Sequence, residues 1–386
     1  MKVSKFGGSS VANGEQIRKV FHIVQSDPER KVVVVSAPGK RFSDDVKTTD
    51  LLIALAEKYM ERGEANAEFD AVIARYRDIA NELELDDDIV NEIQADFEQR
   101  LTLSDDRERF IDSIKAGGED NNAKLIARYF QSQGVAASYV NPKEAGLYVS
   151  DEAGNAQVLP ESYERLYDLR NREEIIIFPG FFGYSPEGNL VTFPRGGSDI
   201  TGAILAAALQ ADLYENFTDV DSVYAVNPSI VDRPKEISEL TYKEMRELSY
   251  AGFGVFHEEA LAPAVRARIP VCIKNTNNPQ APGTMIVAER KLNGEPVVGI
   301  ASDKGFLNIY VEKYLMNREI GFGRKLLQIL EEEGLSYEHT PSSIDSLNVI
   351  LRANQLTAEK ETRLIERIET ELHADKVTIE RDIALI

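Results

Sequence analysis

Lys2-Val-Ser-Lys-Phe-Gly-Gly-Ser-Ser-Val11 is the stretch on which the reading of the fold turns. Val3 to Phe6 reads as a strand and Gly7-Gly8-Ser9-Ser10 as a turn. Ile17, Val20, Phe21 and Val24 form the apolar stripe of a helix that starts almost at once. A strand, a glycine turn and a helix N-terminus in that order make an anion site. The glycines let the backbone approach a ligand, and free N–H groups and the helix dipole face it. Lys5 adds a mobile cation to the same place. The same residues also describe an ordinary βα turn, and the chain holds no G-x-x-x-x-G-K-[ST] pattern. The anion reading therefore gains weight only from further pieces of the same chemistry.

Working outward, Lys31-Val-Val-Val-Val-Ser36 is a β-branched run of the kind covered on both faces. Strand, helix and strand at this spacing form the βαβ unit of a parallel sheet. Ala37-Pro-Gly-Lys40 ends the unit, with Lys40 placed either to reach a phosphate or to stand in solvent. Thr48-Thr49-Asp50 supplies a cap for a helical region opening at Leu51. From Glu57 to Leu101 the text is helical and acidic, a cover over the sheet edge, with Asp86-Asp-Asp88 as a solvated turn or cap. In Ser113-Ile-Lys-Ala-Gly-Gly-Glu119 two glycines deliver a carboxylate to the start of a helix from Asn122 to Gln133. There Glu119 either meets an ammonium group or complements the helix dipole. Glu174-Ile-Ile-Ile-Phe-Pro-Gly-Phe-Phe-Gly183 is a buried strand and a loop, at the position where open α/β sheets present ligand contacts.

A second glycine turn lies in Phe193-Pro-Arg-Gly-Gly-Ser-Asp-Ile-Thr-Gly202, ahead of a small-residue helix from Ala203 to Ala211. Arg195 brings a planar fork suited to a carboxylate or phosphate. Asp199 either caps the helix or holds a lysine in place. Leu213 to Pro228 then gives a strand and a carboxylate-rich loop with Tyr224, suited to ribose, Mg²⁺ and a base, or to a capped turn with a core tyrosine. A third cation, Lys274, ends the strand around Cys272. Two glycine-serine turns, each with its own cation, are difficult to explain as connectors.

Composition narrows the partners. The 386 residues carry a formal charge of −21, and no Lys/Arg cluster is long enough to track a phosphate backbone. Nucleic acid and anionic membrane are therefore poor partners. A hydrophobic fraction of 43% supports sizeable cores in two or three domains. The single cysteine, Cys272, reads as a small core residue. No signal-type region precedes the first strand and no apolar run approaches the roughly 20 residues of a membrane helix, so the expected location is cytoplasmic.

Taken together, Lys5-Phe-Gly-Gly-Ser-Ser10, Thr49-Asp50, Gly118-Glu119, Arg195-Gly-Gly-Ser-Asp199, Thr218-Asp-Val-Asp221 and Lys274-Asn-Thr276 resemble the aspartokinases, members of the amino-acid kinase superfamily. The resemblance runs in order over nearly the whole chain. It implies an α/β amino-acid kinase fold, a mainly parallel sheet sandwiched by helices, over residues 1–290. It also implies ATP-dependent phosphorylation of the aspartate side-chain carboxylate with Mg²⁺, the first step towards lysine, threonine and methionine. On that likeness Lys5 and Gly7, Gly8, Ser9 and Ser10 hold the transferring phosphoryl group, and Asp199 positions Lys5. Thr218, Asp219, Tyr224 and Lys274 bind the nucleotide. Thr49, Glu119, Arg195, Gly196, Gly197 and Ser198 form the aspartate site, with Arg195 on the α-carboxylate and Glu119 near the α-ammonium. Ser222 and Ser229 stand where the family often has Gly and Arg. Phe256-His-Glu-Glu259 replaces a common Leu-His-Pro-Arg, retaining His257. No histidine-cluster metal site occurs in the sequence, and the Mg²⁺ ligands stay open, since nucleotide phosphates can carry most of the ligation. Two other functions compete: a kinase for another small amino acid or carboxylate, and an amino-acid sensor with a disabled kinase domain. The latter predicts loss of Lys5, Arg195 or Asp199, and all three are present.

Gly283 to Glu295 leaves the kinase sheet, with a boundary at Lys291-Leu-Asn-Gly294. Strands are expected at Val297 to Ala301, Leu307 to Val311, Ser336 to Thr340, Leu347 to Leu351 and Val377 to Ile383, with helices over Gly323 to Glu333 and Ala358 to Leu372. The βαββαβ part resembles an ACT domain, a ferredoxin-like module that binds amino acids between paired copies. The resemblance implies a regulatory region over 297–386, with one full module at about 305–382 and a second, outer module cut short after its opening strand. It further implies a homodimer and a lysine or threonine effector near Met316, Gly321, Phe322, Ser342 and Ser343. Each of those five residues reads equally as cap, turn or core.

Overall fold

Apolar runs that alternate with helical patterns hide both faces only in a sheet with helices on each side. The computed structural model, which describes residues 1–102, 106–250, 260–291 and 297–386, has such a sheet. It falls into two units, the first taking in Met1–Tyr250 and continuing to Gly299, the second taking in Ile300–Ile386. In the first unit β1 (Lys2–Phe6), β2 (Arg30–Val35), β3 (Ala137–Tyr139), β4 (Ile175–Pro179), β7 (Leu213–Thr218), β10 (Glu239–Thr241), β11 (Val271–Asn275) and β12 (Thr284–Val287) form one sheet. The order is β10-β12-β11-β7-β1-β2-β4-β3. Every pairing in it is parallel except β11 with β12. Two ribbons stand apart: β5 (Phe182–Tyr184) with β6 (Leu190–Thr192), and β8 (Val223–Tyr224) with β9 (Glu236–Ile237).

Helices α1 (Gly14–Gln25), α2 (Thr48–Arg62), α3 (Asn66–Glu82), α4 (Asp88–Arg100) and α5 (Arg107–Ser132) share one core with Phe6, Val33, Val35, Ile177 and Phe217 of the sheet. Val32 and Val34 are equally buried and point to the opposite face. There α8 (Gly197–Ala208) packs on β1, β2 and β7. Shorter helices α6 (Pro142–Ala145), α7 (Glu161–Tyr167), α9 (Tyr242–Tyr250) and α10 (Ala262–Arg266) complete the unit. Among the described residues no helix is long and apolar enough to cross a membrane.

Three local expectations are corrected. The first helix does not start at the glycine turn. A single 3-10 turn, Gly8–Val11, comes first, and α1 starts at Gly14 because the Asn13 side chain accepts the Gln16 N–H and fixes the cap there. Nor do Thr48 to Asp50 cap α2. They lie inside its first turn, Lys47 is the cap residue and offers no side-chain bond, and the Thr48 N–H donates to the Pro38 carbonyl. The largest difference is at Gly117-Gly118-Glu119, which lie in the middle of α5, not before a helix. A methyl on Gly117 would stand 2.6 Å from Phe97 Cε1, and one on Gly118 would stand 2.9 Å from both Ala37 Cβ and Leu52 Cδ1. These glycines let neighbouring elements close on the helix, which offsets their roughly 1 kcal/mol helix penalty.

In the second unit β13 (Asp303–Glu312) lies between β14 (Ser346–Arg352) and β15 (Lys376–Leu385), antiparallel to both. Helices α11 (Phe322–Glu332) and α12 (Ala358–Leu372) bury Leu326, Ile329, Leu364 and Ile368 with Leu307, Ile309 and Val311. The strand expected at Ser336 to Thr340 is reduced to an isolated bridge between His339 and Ile350. The Gln355 side chain takes both the N–H and the carbonyl of Ser336, removing them from a ladder. Val297 to Ala301 is not a strand either; within it only Ile300 takes part in a single β-bridge. Residues 252–254, 256–259 including His257, and 292–294 of the expected boundary lie outside the described residues.

Candidate active site

Lys5 faces Asn216 in the β1–β7 register, while Lys274 faces Phe217 and Asn275 faces Thr218 in the β11–β7 register. Lys5, Asn216, Thr218 and Lys274 therefore cluster at the carboxyl end of three neighbouring parallel strands, each about 4.8 Å from the next. The chain leaves β1 for β2 on one side and later returns to β7 on the other. The carboxyl edge at such a switch point is where doubly wound sheets bind ligands.

Lys5 is only 6% exposed, and its ammonium lies 2.6 Å from Asp199 Oδ1. Asp199 comes from the first turn of α8 and also accepts a 2.5 Å hydrogen bond from Asn216 Nδ2. The second glycine motif makes this possible. Gly196 has φ 82° at the N-cap, a left-handed conformation that suits glycine, and a methyl on Gly197 would strike the Phe181 ring at 2.5 Å. The two motifs thus meet through one buried ion pair.

The first turn is less free than its sequence implies. Gly7 donates its N–H to the Phe217 carbonyl and Ser10 donates to Gly7, while the Gly8 carbonyl accepts from Gly39. Ser10 Oγ accepts from Thr276 Oγ1 at 2.7 Å, tying the turn to the end of β11. Ser9 stays exposed. Gly8 and Gly39 touch backbone to backbone, since a methyl on Gly39 would lie 2.5 Å from the Gly8 carbonyl carbon.

Glu119 is buried within α5, and burial pushes its carboxyl up to about 8 against hydrogen bonding from the Ala37 backbone and the nearby charges of Lys115 and Lys5. Its Oε2 has no hydrogen-bond partner. Ser198 is buried in the first turn of α8 against Gly180. Thr49 is half-buried at the start of α2. Arg195 is exposed and makes no hydrogen bond or ion pair among the described residues, so its guanidinium is unspent.

At the β7 and β11 ends, Thr218 Oγ1 donates to Asp219 Oδ1 at 3.1 Å and Asn275 Nδ2 donates to Asp221 Oδ1 at 2.8 Å. Lys274 Nζ donates to the Ala281 carbonyl at 2.9 Å. Tyr224, half-buried, stands on the β8–β9 ribbon, which the Val223 N–H ties to Thr284 Oγ1 beside β12. In the second unit Met316 and Phe322 are buried in its core, Gly321 has φ 84° at the α11 N-cap, and Ser342 and Ser343 are exposed. Among the described residues no group of three His, Cys, Asp or Glu could hold a metal ion. Cys272 is a buried thiol pushed up to about 11 by burial.

Sequence reasoning missed Asn216, which holds Asp199, and did not anticipate the burial of Asn122 and Thr48. Asn122 donates to the Ser36 carbonyl at 2.7 Å, and Thr48 is fully buried. The available signal was a polar residue inside an apolar strand or helix face, most visible in Leu-Tyr-Glu-Asn-Phe over β7.

A parallel sheet with two glycine turns joined by a lysine–aspartate pair at its carboxyl edge defines a class. The chain belongs to the amino acid kinase family, whose model matches residues 1–275. It is 64% identical to Aspartokinase 3 of Bacillus subtilis (strain 168), over 100% of this chain and 85% of that protein. The fold is similar to the crystal structure of Clostridium acetobutylicum aspartate kinase, with a TM-score of 0.87 and 37% identity over 100% of this chain and 86% of the other. It is also similar to E. coli aspartokinase III solved in complex with aspartate and ADP, with a TM-score of 0.76 and 27% identity over 100% and 86% of the two chains. Within the family the chain therefore stands among the aspartokinases.

Proposed function

We propose that the cluster at the carboxyl edge transfers the γ-phosphoryl group of ATP to the side-chain carboxylate of L-aspartate, giving 4-phospho-L-aspartate and ADP. The observation that carries this is the buried Lys5–Asp199 pair linking both glycine turns, with the unspent Arg195 and the ammonium-seeking Glu119 nearby. The nucleophile is a carboxylate that ordinarily titrates at about 3.9 and so arrives ionised, and no general base is required. One carboxylate oxygen attacks the γ-phosphorus as the bond to the β,γ-bridging oxygen breaks, and ADP leaves with that electron pair. The task of the protein is to bring an anion up to a polyanion, which calls for fixed cations and N–H groups.

Lys5, with Gly7 to Ser10, holds the transferring group, and Asp199 aims Lys5 while Asn216 steadies Asp199. Arg195 forks onto the α-carboxylate, Glu119 takes the α-ammonium, and Thr49, Gly196, Gly197 and Ser198 complete the aspartate site. Thr218, Asp219, Tyr224 and Lys274 hold the nucleotide. Mg²⁺, bound through phosphate oxygens, would neutralise charge on the transferring group. We assign residues 1–290 to catalysis and 297–386 to an ACT-type regulatory region that senses lysine or threonine in a cytoplasmic homodimer. ADP formation measured with L-aspartate, L-glutamate, N-acetyl-L-glutamate and no acceptor tests the substrate. Turnover is expected with L-aspartate alone; equal turnover with another acceptor, or none with ATP bound, would reject the assignment.

A further inference from the structure

The first unit carries a second cleft, of about 740 Å³, bordered by α9, α10, the start of α8 and the segment around Gln157. That volume falls in the range of small-molecule sites, roughly 300–1,000 Å³. Phe193, Pro194, Ile200, Met245, Leu261 and Val265 supply apolar walls. Lys243, Arg246 and Arg266 stand exposed along the same lining, and none makes a hydrogen bond or ion pair among the described residues. The described lining contains no acidic side chain. One lining hydroxyl, Ser249 Oγ, is buried without a hydrogen-bond partner.

In a chain of net charge −21, cations are scarce and carboxylates are plentiful. Leaving three cations unpaired around an apolar cavity contributes nothing to folding, because like charges repel and a buried hydroxyl costs free energy until something answers it. An anionic ligand with an apolar body resolves all three features at once. Two guanidiniums can fork onto an oxyanion, the lysine adds a point charge, and the walls bury the body.

We propose that this cleft is a binding site for a small organic anion with an apolar body, its carboxylate, sulfonate or phosphate head taken by Arg246, Arg266 and Lys243. The head sits at the rim and the body lies against Phe193, Ile200 and Met245. The wall residues Phe193, Pro194 and Ile200 belong to the segment that also supplies Arg195 and Asp199. The site is distinct from the cluster at the strand ends and takes a ligand of different chemistry, apolar where aspartate and ATP are polar.

The test is a fluorescence titration of the full chain with 8-anilino-1-naphthalenesulfonate, an aromatic sulfonate, beside its uncharged analogue N-phenyl-1-naphthylamine. Saturable binding of the sulfonate is expected, weakened about tenfold or more by Arg246→Glu with Arg266→Glu. The uncharged analogue should bind more weakly and be indifferent to the reversal. Arg324→Glu, an exposed arginine in α11, should leave the titration unchanged. Both cleft arginines are exposed and unpaired among the described residues, so the double variant should show the thermal transition of the parent. If it does not, Arg246→Gln with Arg266→Gln is read in its place. Non-saturable binding, indifference of the sulfonate to both double variants, or the same loss with Arg324→Glu would overturn the proposal.

Discussion

Buried in α5 with a carboxyl pushed up to about 8, Glu119 keeps its proton in the empty protein at neutral pH. A bound ammonium reverses that preference, so aspartate binding should expel the proton. Below about pH 8 the apparent KM for aspartate should therefore fall as pH rises, approaching tenfold per unit, and flatten above it. Initial rates between pH 6.5 and 8.5 give the slope, and Glu119→Gln should remove it while raising KM. A flat profile in the parent would separate Glu119 from the ammonium. Stability follows the same group with a definite sign. Because the folded value lies above the ordinary 4.5 of a glutamate, the contribution of Glu119 is full below about 4.5 and is lost as pH rises through about 8. Substrate-free Glu119→Gln should accordingly melt at or above the parent at pH 8.5; a clearly lower melting temperature would contradict the burial argument. Arg195→Lys keeps the charge and loses the fork, and since Arg195 holds nothing else in place among the described residues it should raise KM for aspartate on the order of tenfold with stability unchanged. Unchanged KM would free Arg195 from the carboxylate. Lys5 and Arg195 were legible in the sequence because each stood beside glycines, and Lys274 because it ends a strand. Asn216 was not, because its partner Asp199 comes from a different element and becomes a neighbour only once α8 lies across the sheet.

At the scale of elements, glycines are legible where they make turns and misleading where they make room. Gly196 at φ 82° belongs to the first kind and Gly117 and Gly118 to the second. Periodicity breaks a helix at those two because it carries no sign of Phe97, Ala37 and Leu52 arriving from other elements. The 3-10 turn after β1 is hidden for a related reason: Asn13 caps α1 three residues beyond the last turn serine, and no apolar periodicity marks that gap. The contact of Gly39 with Gly8 yields a direct expectation. Gly39→Ala would press its methyl to 2.5 Å from the Gly8 carbonyl carbon and 2.8 Å from Ser9 N, displacing the turn proposed to hold the phosphoryl group. A displacement on the order of 1 Å should lower kcat about a hundredfold. Steady-state rates at saturating aspartate and ATP measure it, and an unchanged kcat would show that the position of the turn does not matter to the reaction. The C-terminal strand at Ser336 fails to form because a side chain, Gln355, satisfies the backbone groups that a strand would have paired.

For the whole molecule, the parallel sheet, its helical cover and the α/β second unit were all legible from periodicity, since runs such as Val32 to Val35 can be covered on both faces in few other ways. Convergence was legible only through the family resemblance, which paired Asp199 with Lys5: no periodicity shows it, because Lys5 and Lys274 come together through the strand order β11-β7-β1 and Asp199 arrives on α8. The central claim is that this convergence lets two anions react on a surface of net negative charge. Trapping the acyl phosphate with hydroxylamine, in the presence of L-aspartate, ATP and Mg²⁺, tests it most directly when the parent is compared with Lys5→Ala. The parent should accumulate aspartyl hydroxamate, and the variant, folded by circular dichroism, should lose at least about a hundredfold in rate. Near-normal hydroxamate formation by Lys5→Ala, or none by the parent, would contradict the account.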